Sequence, residues 1–253
     1  MTVASAQPGL PGRAMPWRVA TLAAARPETA SARTLTFDVP GWPGHLPGQH
    51  VAVKLTAEDG YFAQRDYSIG SAPEAGRLEL TVQRLADGEV SPYLTEVMVP
   101  GDQVELRGPI GGWFTWDPAS PAPLQLIAGG SGIVPLMSMI RAARGAAPIR
   151  LLYSARTPAD LIYADELAQR HVTSPLTVTR LFTRLSGASG AAGTAWHGRI
   201  SRAVVDAVTW GPEARPAIYV CGPSGFVAAA SSLLVAAGHP PATIKTERFG
   251  PTG

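Results

Sequence analysis

The chain has 253 residues, with 21 Lys and Arg against 19 Asp and Glu, and its net charge of +2 excludes the strongly basic surface of a general nucleic-acid binder. Cys221 is the only cysteine, which excludes an intrachain disulfide and a cysteine-ligated zinc or iron–sulfur cluster within the chain. The first residues hold no uninterrupted apolar stretch and no later segment reaches the roughly 18 apolar residues of a membrane span, so a soluble, cytoplasmic protein without membrane insertion is expected.

The first half reads as short strands between turn residues: Trp17 to Thr21, Thr34 to Val39, His50 to Thr56, Asp66 to Ile69, Arg77 to Gln83 and Gln103 to Arg107. Spacing of this kind predicts a small antiparallel barrel or sandwich. GWPGHLPG (41–48) and AEDG (57–60) are loops by composition, and Ser91 to Val97 is a candidate short helix with Pro92 in its first turn. After Asp117 the run PASPAP forms a Pro-rich linker, and a domain boundary is expected there, between residues 14–118 and 123–253.

From Leu124 apolar strands alternate with helical patterns. Strands are predicted at Leu124 to Ala128, Ile149 to Ser154, Leu176 to Thr183, Ala217 to Cys221 and Thr243 to Glu247. Helices are predicted at Pro135 to Arg144, around Ala164 to Gln169, and at Ser224 to Ala237. Alternation implies βαβ units and a doubly wound parallel sheet, which binds ligands at its strands' carboxyl ends. The segment from Leu185 to Gly198 reads as a mobile loop near that edge. Charge follows the same division: residues 1–122 carry a net of −4 and residues 123–253 a net of +6, suiting the second half to an anionic ligand.

GGSGIVP (129–135) directly follows a predicted strand and opens a predicted helix. Glycines let backbone approach a pyrophosphate, and the helix start supplies N–H donors and positive dipole. Gly130, Ser131 and Gly132 are therefore candidate nucleotide-binding residues, although Pro135 stands where the usual fingerprint has its third glycine. An acidic residue commonly closes the second strand of an NAD site; here Ser154 and Arg156 stand there, which favours the 2′-phosphate of NADP. Arg184, after the third strand, either adds charge to the same nucleotide or is a surface residue. Cys221 and Gly222 lie in YVCGPSG, again at a strand end entering a helix. A lone cysteine reads locally as a small buried hydrophobe; at this edge it could instead shape the geometry of hydride transfer beside a nicotinamide.

In the first half, RDYSIGS (65–71) reads as a strand presenting Arg65, Tyr67 and Ser68 on one face. Such a face can hold a flavin, the arginine on phosphate, the tyrosine along the ring and the hydroxyl near the reducible nitrogen. With PGQHVAVKL, GEVSPYL, GPIGGWF, GGSGIVP, YSAR and YVCGPSG in order, the chain resembles the ferredoxin–NADP reductase-type flavoprotein family from about Trp17 to Phe249.

The resemblance implies a Greek-key flavin barrel followed by a parallel NADP-binding domain. It implies flavin contacts from Arg65, Tyr67 and Ser68, a flavin pyrophosphate at Val90 and Ser91, and Cys221 near the nicotinamide. Ser68, Tyr67 and Cys221 are then the residues expected around the reacting rings. FAD is favoured over FMN because Arg65 and the Val90–Ser91 turn together imply a pyrophosphate. Phe249 either covers the flavin or packs as core. No metal site is expected, and His50, His197 and His239 read as structural. The expected activity is hydride transfer from NADPH to FAD, with electrons passed to a separate acceptor such as a ferredoxin-like carrier or metalloenzyme. A reductase of a small acceptor (free flavin, ferric chelate, quinone or chromate) is the alternative, and a non-catalytic nucleotide-sensing module is a rival from another class.

Overall fold

The computed structural model describes residues 15–143, 147–185 and 195–250. Arg144, the expected end of one helix, lies outside the described residues, as do the chain start, residues 186–194 of the expected loop and residues 251–253.

Six strands form the first sheet: β1 (Arg18–Thr29), β2 (Ala32–Asp38), β3 (His50–Thr56), β4 (Phe62–Ser68), β5 (Arg77–Gln83) and β6 (Gln103–Ile110). Their order is β4-β3-β6-β1-β2-β5, each pairing antiparallel. The edge strands approach at an isolated bridge between Ile69 and Leu80, which draws the sheet toward a barrel. Leu22, Phe37, Val53, Leu80 and Leu106 fill its interior, and a π-helical turn, Tyr93–Val97, adds the buried Leu94.

β1 runs much further than the expected Trp17 to Thr21. Its second half, AARPET, has no clean alternation, but pairing with β2 continues to Thr29 through two register shifts, one beside Pro27. Bulges are where a strand tolerates proline. β4 likewise starts earlier than expected because β3 offers an unbroken partner from His50 to Thr56.

The second sheet is wholly parallel, in the order β10-β9-β8-β7-β11-β12. Its strands are β7 (Leu124–Gly129), β8 (Ile149–Ala155), β9 (Leu176–Phe182), β10 (Ala195–His197), β11 (Ala217–Pro223) and β12 (Ile244–Phe249). The helices are α1 (Ile133–Ala142), α2 (Ala164–Thr173), α3 (Arg202–Val208) and α4 (Ser224–Ala236). Alternate β7 residues face opposite layers: Leu126 and Ala128 join the α1 side, Ile127 the cluster of Val204, Val227 and Leu234.

Two elements were not expected. β10 takes Ala195–His197 out of the predicted loop by pairing with Arg180 to Phe182, and α3 starts where the Ser201 hydroxyl accepts from the Val204 N–H. Strand order reverses between β7 and β11, which opens a crevice at their carboxyl ends.

The sheets share core. Ala32, Phe114 and Trp116 from the first half pack in the same cluster as Leu126, Met139 and Tyr219. Arg141 on α1, with its side chain 10% exposed, spans the junction to Glu79 of β5 (2.7 Å), to Glu166 of α2 (2.5 Å) and to the Gly70 carbonyl (2.9 Å). Tyr163, buried at the start of α2, meets the Thr81 hydroxyl and donates its N–H to Glu28 (3.0 Å). A Cβ on Gly70 would lie 2.7 Å from the Tyr163 hydroxyl, so the glycine of the SIGS run makes room for this seam.

Candidate active site between the sheets

β4 carries Arg65, Tyr67 and Ser68, but not on one face. A strand alternates with period two, so Arg65 and Tyr67 share a face and Ser68 takes the other. Tyr67 packs against the barrel core, and burial pushes its hydroxyl up to about 12. Ser68 instead turns toward the second sheet, where its Oγ donates to Glu247 Oε1 of β12 at 3.2 Å.

Glu247 is the residue that sequence reasoning passed over. It is the register partner of Cys221, so the parallel β11–β12 pairing places a carboxylate beside the thiol and in reach of Ser68. Burial pushes the Glu247 carboxyl up to about 7, and the Ser68 hydrogen bond offsets only part of that rise. Near neutrality this carboxyl can therefore hold or release a proton. Cys221 is fully buried, and burial followed by the neighbouring Glu247 raises its thiol well above the usual range. It stays a thiol and is no nucleophile.

The glycine loop meets the same spot. Gly129 pairs with Ser154, residues 130–132 form a 3-10 turn, and α1 follows directly, so Pro135 is its third residue. A Cβ on Gly132 would fall 2.2 Å from the Cys221 carbonyl oxygen, so only glycine lets the loop sit against β11. Nothing lies within 4 Å of a Cβ position at Gly130, and that stretch of backbone faces open space. Gly222 packs on Gly129 across the switch point.

At the end of β8, Ser154 is buried and Arg156 exposed. The Arg184 N–H donates to the Arg156 carbonyl at 2.9 Å, which brings the two arginines together at adjacent strand ends. The nearest following carboxylate, Asp160, is occupied in a reciprocal cap with Thr157. Lys245 of β12 and the Tyr219 hydroxyl both donate to the Thr115 carbonyl, at 2.9 and 2.8 Å, and tie β11 and β12 to the segment that leaves the first sheet.

Around the helical turn, Val90 is buried in the barrel core. The Ser91 hydroxyl accepts from the Leu85 N–H at 3.0 Å, so it braces the preceding loop. Arg65 is not free: it pairs with Glu89 at 2.9 Å, and Tyr61 donates to the other oxygen of that carboxylate at 2.5 Å. Phe249, at the end of β12, packs half-buried against the cluster that holds Tyr219 and Cys221. Among the described residues no three His, Cys, Asp or Glu side chains gather as a metal site, and no helix is long and apolar enough to cross a membrane. His239 bonds the Trp210 carbonyl at 3.0 Å; burial, partly offset by Asp66, lowers the His50 ring's proton affinity.

Residues 20–115 match the oxidoreductase FAD-binding domain family and residues 126–232 the oxidoreductase NAD-binding domain family. The chain belongs to the ferredoxin–NADP reductase-type flavoprotein family. It is 32% identical over 233 residues to the glycine betaine monooxygenase reductase subunit of Chromohalobacter salexigens, an alignment covering 89% of this chain and 62% of that protein. It is 41% identical over 154 residues to ferredoxin–NADP reductase B of Sorangium cellulosum, covering 58% of this chain and 62% of that one. The chain thus spans 62% of the length of each of these relatives. Its fold is that of the FAD/NAD-binding domain of nitric oxide dioxygenase from Vibrio cholerae, with a TM-score of 0.83, 24% identity, and coverage of 94% of this chain and all of that one. The two-sheet arrangement is therefore the family's own, with FAD-binding and NAD(P)-binding units side by side.

Proposed function

We propose that the chain takes hydride from NADPH onto FAD and passes electrons to a separate protein acceptor, a ferredoxin-like carrier or an oxygenase component. The observation that carries the reading is the convergence of Ser68, Glu247 and Cys221, from two sheets, at the switch-point crevice. Bound flavin would supply the chemistry itself, accepting a hydride and releasing electrons one at a time.

The protein's part is position and proton control. Arg65 and the backbone at Val90 and Ser91 would hold the FAD pyrophosphate, with Tyr67 along the ring. Gly130, Ser131, Gly132 and Gly222 would hold the nicotinamide nucleotide against β11, where the buried Cys221 sets the depth to which the nicotinamide ring can enter. Glu247 would keep a proton at its Oε atoms, delivered or withdrawn through Ser68 Oγ. Phe249, half-buried against the Tyr219 and Cys221 cluster, would support the crevice as packed core.

Ser154, Arg156 and Arg184 support NADPH over NADH, because a hydroxyl and two planar cations suit a 2′-phosphate and Asp160, the first carboxylate after β8, is held by Thr157. A separate acceptor is supported by the relatives' names, among them the reductase subunit above and the ferredoxin reductase component of a Mycolicibacterium smegmatis monooxygenase, 30% identical over 234 residues, 88% of this chain and 62% of that one. An anaerobic visible spectrum titrated with each nucleotide tests the core of the reading. NADPH should bleach a yellow flavin band at much lower concentration than NADH. Bleaching by NADH alone removes the 2′-phosphate site, and the absence of any flavin band sinks the proposal. Faster turnover with free flavin or ferric salts than with purified ferredoxins would transfer the acceptor role to a small molecule.

A further inference from the structure

Arg65 on β4 is exposed, yet its guanidinium is already engaged. One Nη donates to the Gln64 carbonyl at 2.7 Å and the other pairs with Glu89 Oε2 at 2.9 Å. Glu89 is held in turn by the Tyr61 hydroxyl on Oε1. That hydroxyl, and then Arg65, keep the Glu89 carboxyl below the usual carboxylate range, so it is an anion across the neutral range. Glu89 sits directly before Val90 and Ser91, and with Tyr61, Lys54, Ala63 and Tyr93 it also lines a cleft of about 570 Å³ that opens beside the turn. The side chains are about half exposed (55% for Arg65, 48% for Glu89), so the pair is weak enough to open and reachable from solvent.

A phosphate seeking Arg65 must therefore displace a carboxylate that already makes the same kind of charge-assisted bond. We propose that Glu89 is an internal competitor for the cofactor's phosphate: it latches Arg65 while the site is open and is pushed toward the cleft when phosphate arrives, setting how tightly FAD is held. This rests on the assignment of Arg65 to the flavin phosphate. A carboxylate left near the arriving pyrophosphate also repels it, so both effects weaken binding in the same direction. Tyr61 gives the displaced carboxylate a partner, which keeps the latch reversible.

The test is equilibrium titration of the cofactor-stripped protein with FAD and, separately, with riboflavin, read by quenching of flavin fluorescence. Glu89→Gln should bind FAD about three- to tenfold more tightly than the unaltered protein, with the gain shrinking at high salt, and should leave riboflavin affinity unchanged because riboflavin carries no phosphate. In an Arg65→Gln background the same substitution should give a clearly smaller gain, since the latched partner is gone. Tyr61→Phe, which loosens Glu89 without removing its charge, should move FAD affinity less than Glu89→Gln does. The proposal is overturned if Glu89→Gln leaves FAD affinity unchanged, weakens it, or tightens riboflavin equally. If the unaltered protein binds riboflavin but gains nothing from the phosphates of FAD, and Arg65→Gln changes nothing, it is the assignment of Arg65 that fails.

Discussion

Single side chains decide the chemistry of the crevice, and Glu247 is the one whose behaviour departs furthest from its type. Its carboxyl sits at about 7 instead of the ordinary 4.5 because it is buried. Between those two values the folded chain holds a proton that the unfolded chain has released, so folding weakens as pH rises through this window and the full penalty stands above it. Glu247→Gln should remove that slope. Thermal unfolding at about pH 5 and pH 8 should show the unaltered protein losing up to about 3 kcal/mol relative to the variant, and equal slopes would refute the burial argument. The variant should also lose any inflection near neutrality in the rate of flavin reduction. Gly132 acts through space alone. Gly132→Ala would press a methyl into the Cys221 carbonyl, so destabilisation by about 2–3 kcal/mol in chemical denaturation is expected, together with weakened nicotinamide nucleotide binding in a direct titration. Of these two residues, the glycine was legible in GGSGIVP, because a phosphate loop is a local pattern. Glu247 was not, because its meaning comes from Ser68, which is 179 positions away.

At the scale of elements, the alternating patterns were enough to recognise most strands and, among the described residues, three of the four α-helices, and His50–Thr56 and Arg77–Gln83 form at the expected residues. What escaped were the pieces whose reason lies in a partner: the bulged second half of β1, held by β2, and β10, held by β9. The seam between the halves is likewise an affair of elements. Arg141 joins α1 to β5 and α2, stacks over Tyr163 at 4.9 Å, and keeps its charge despite burial because Glu166 and Glu79 hold it. Removing one member of such a buried network strands the others without partners. Arg141→Ala should therefore cost about 3–5 kcal/mol, measured by denaturant unfolding, while Glu79→Gln, which leaves the Glu166 pair in place, should cost clearly less. A cost for Arg141→Ala within the range of a surface substitution would mean that the seam is held by apolar packing alone.

For the molecule as a whole, Ala32, Phe114, Trp116, Leu126 and Tyr219 join the two sheets in one apolar cluster, so a single cooperative unit is expected. Calorimetry should give a single transition, coincident with the loss of near-ultraviolet signal; two resolved transitions would show that the halves unfold independently. The order of motifs along the chain determined the architecture, because strand and helix periodicities, a Pro-rich linker and a glycine loop after a strand are properties of short windows, and the physics behind them is equally local. The motifs, and the family resemblance they carry, also pointed to flavin and nicotinamide nucleotide as the ligands of the two halves. Only the folded chain decided that Ser68 meets Glu247, that Glu247 shares a register with Cys221, and that Arg65 is latched by Glu89. Those relations are set by sheet pairing, burial and the distance between charges across elements far apart in sequence, and each exists only once the two sheets are packed together or the turns beside β4 are closed.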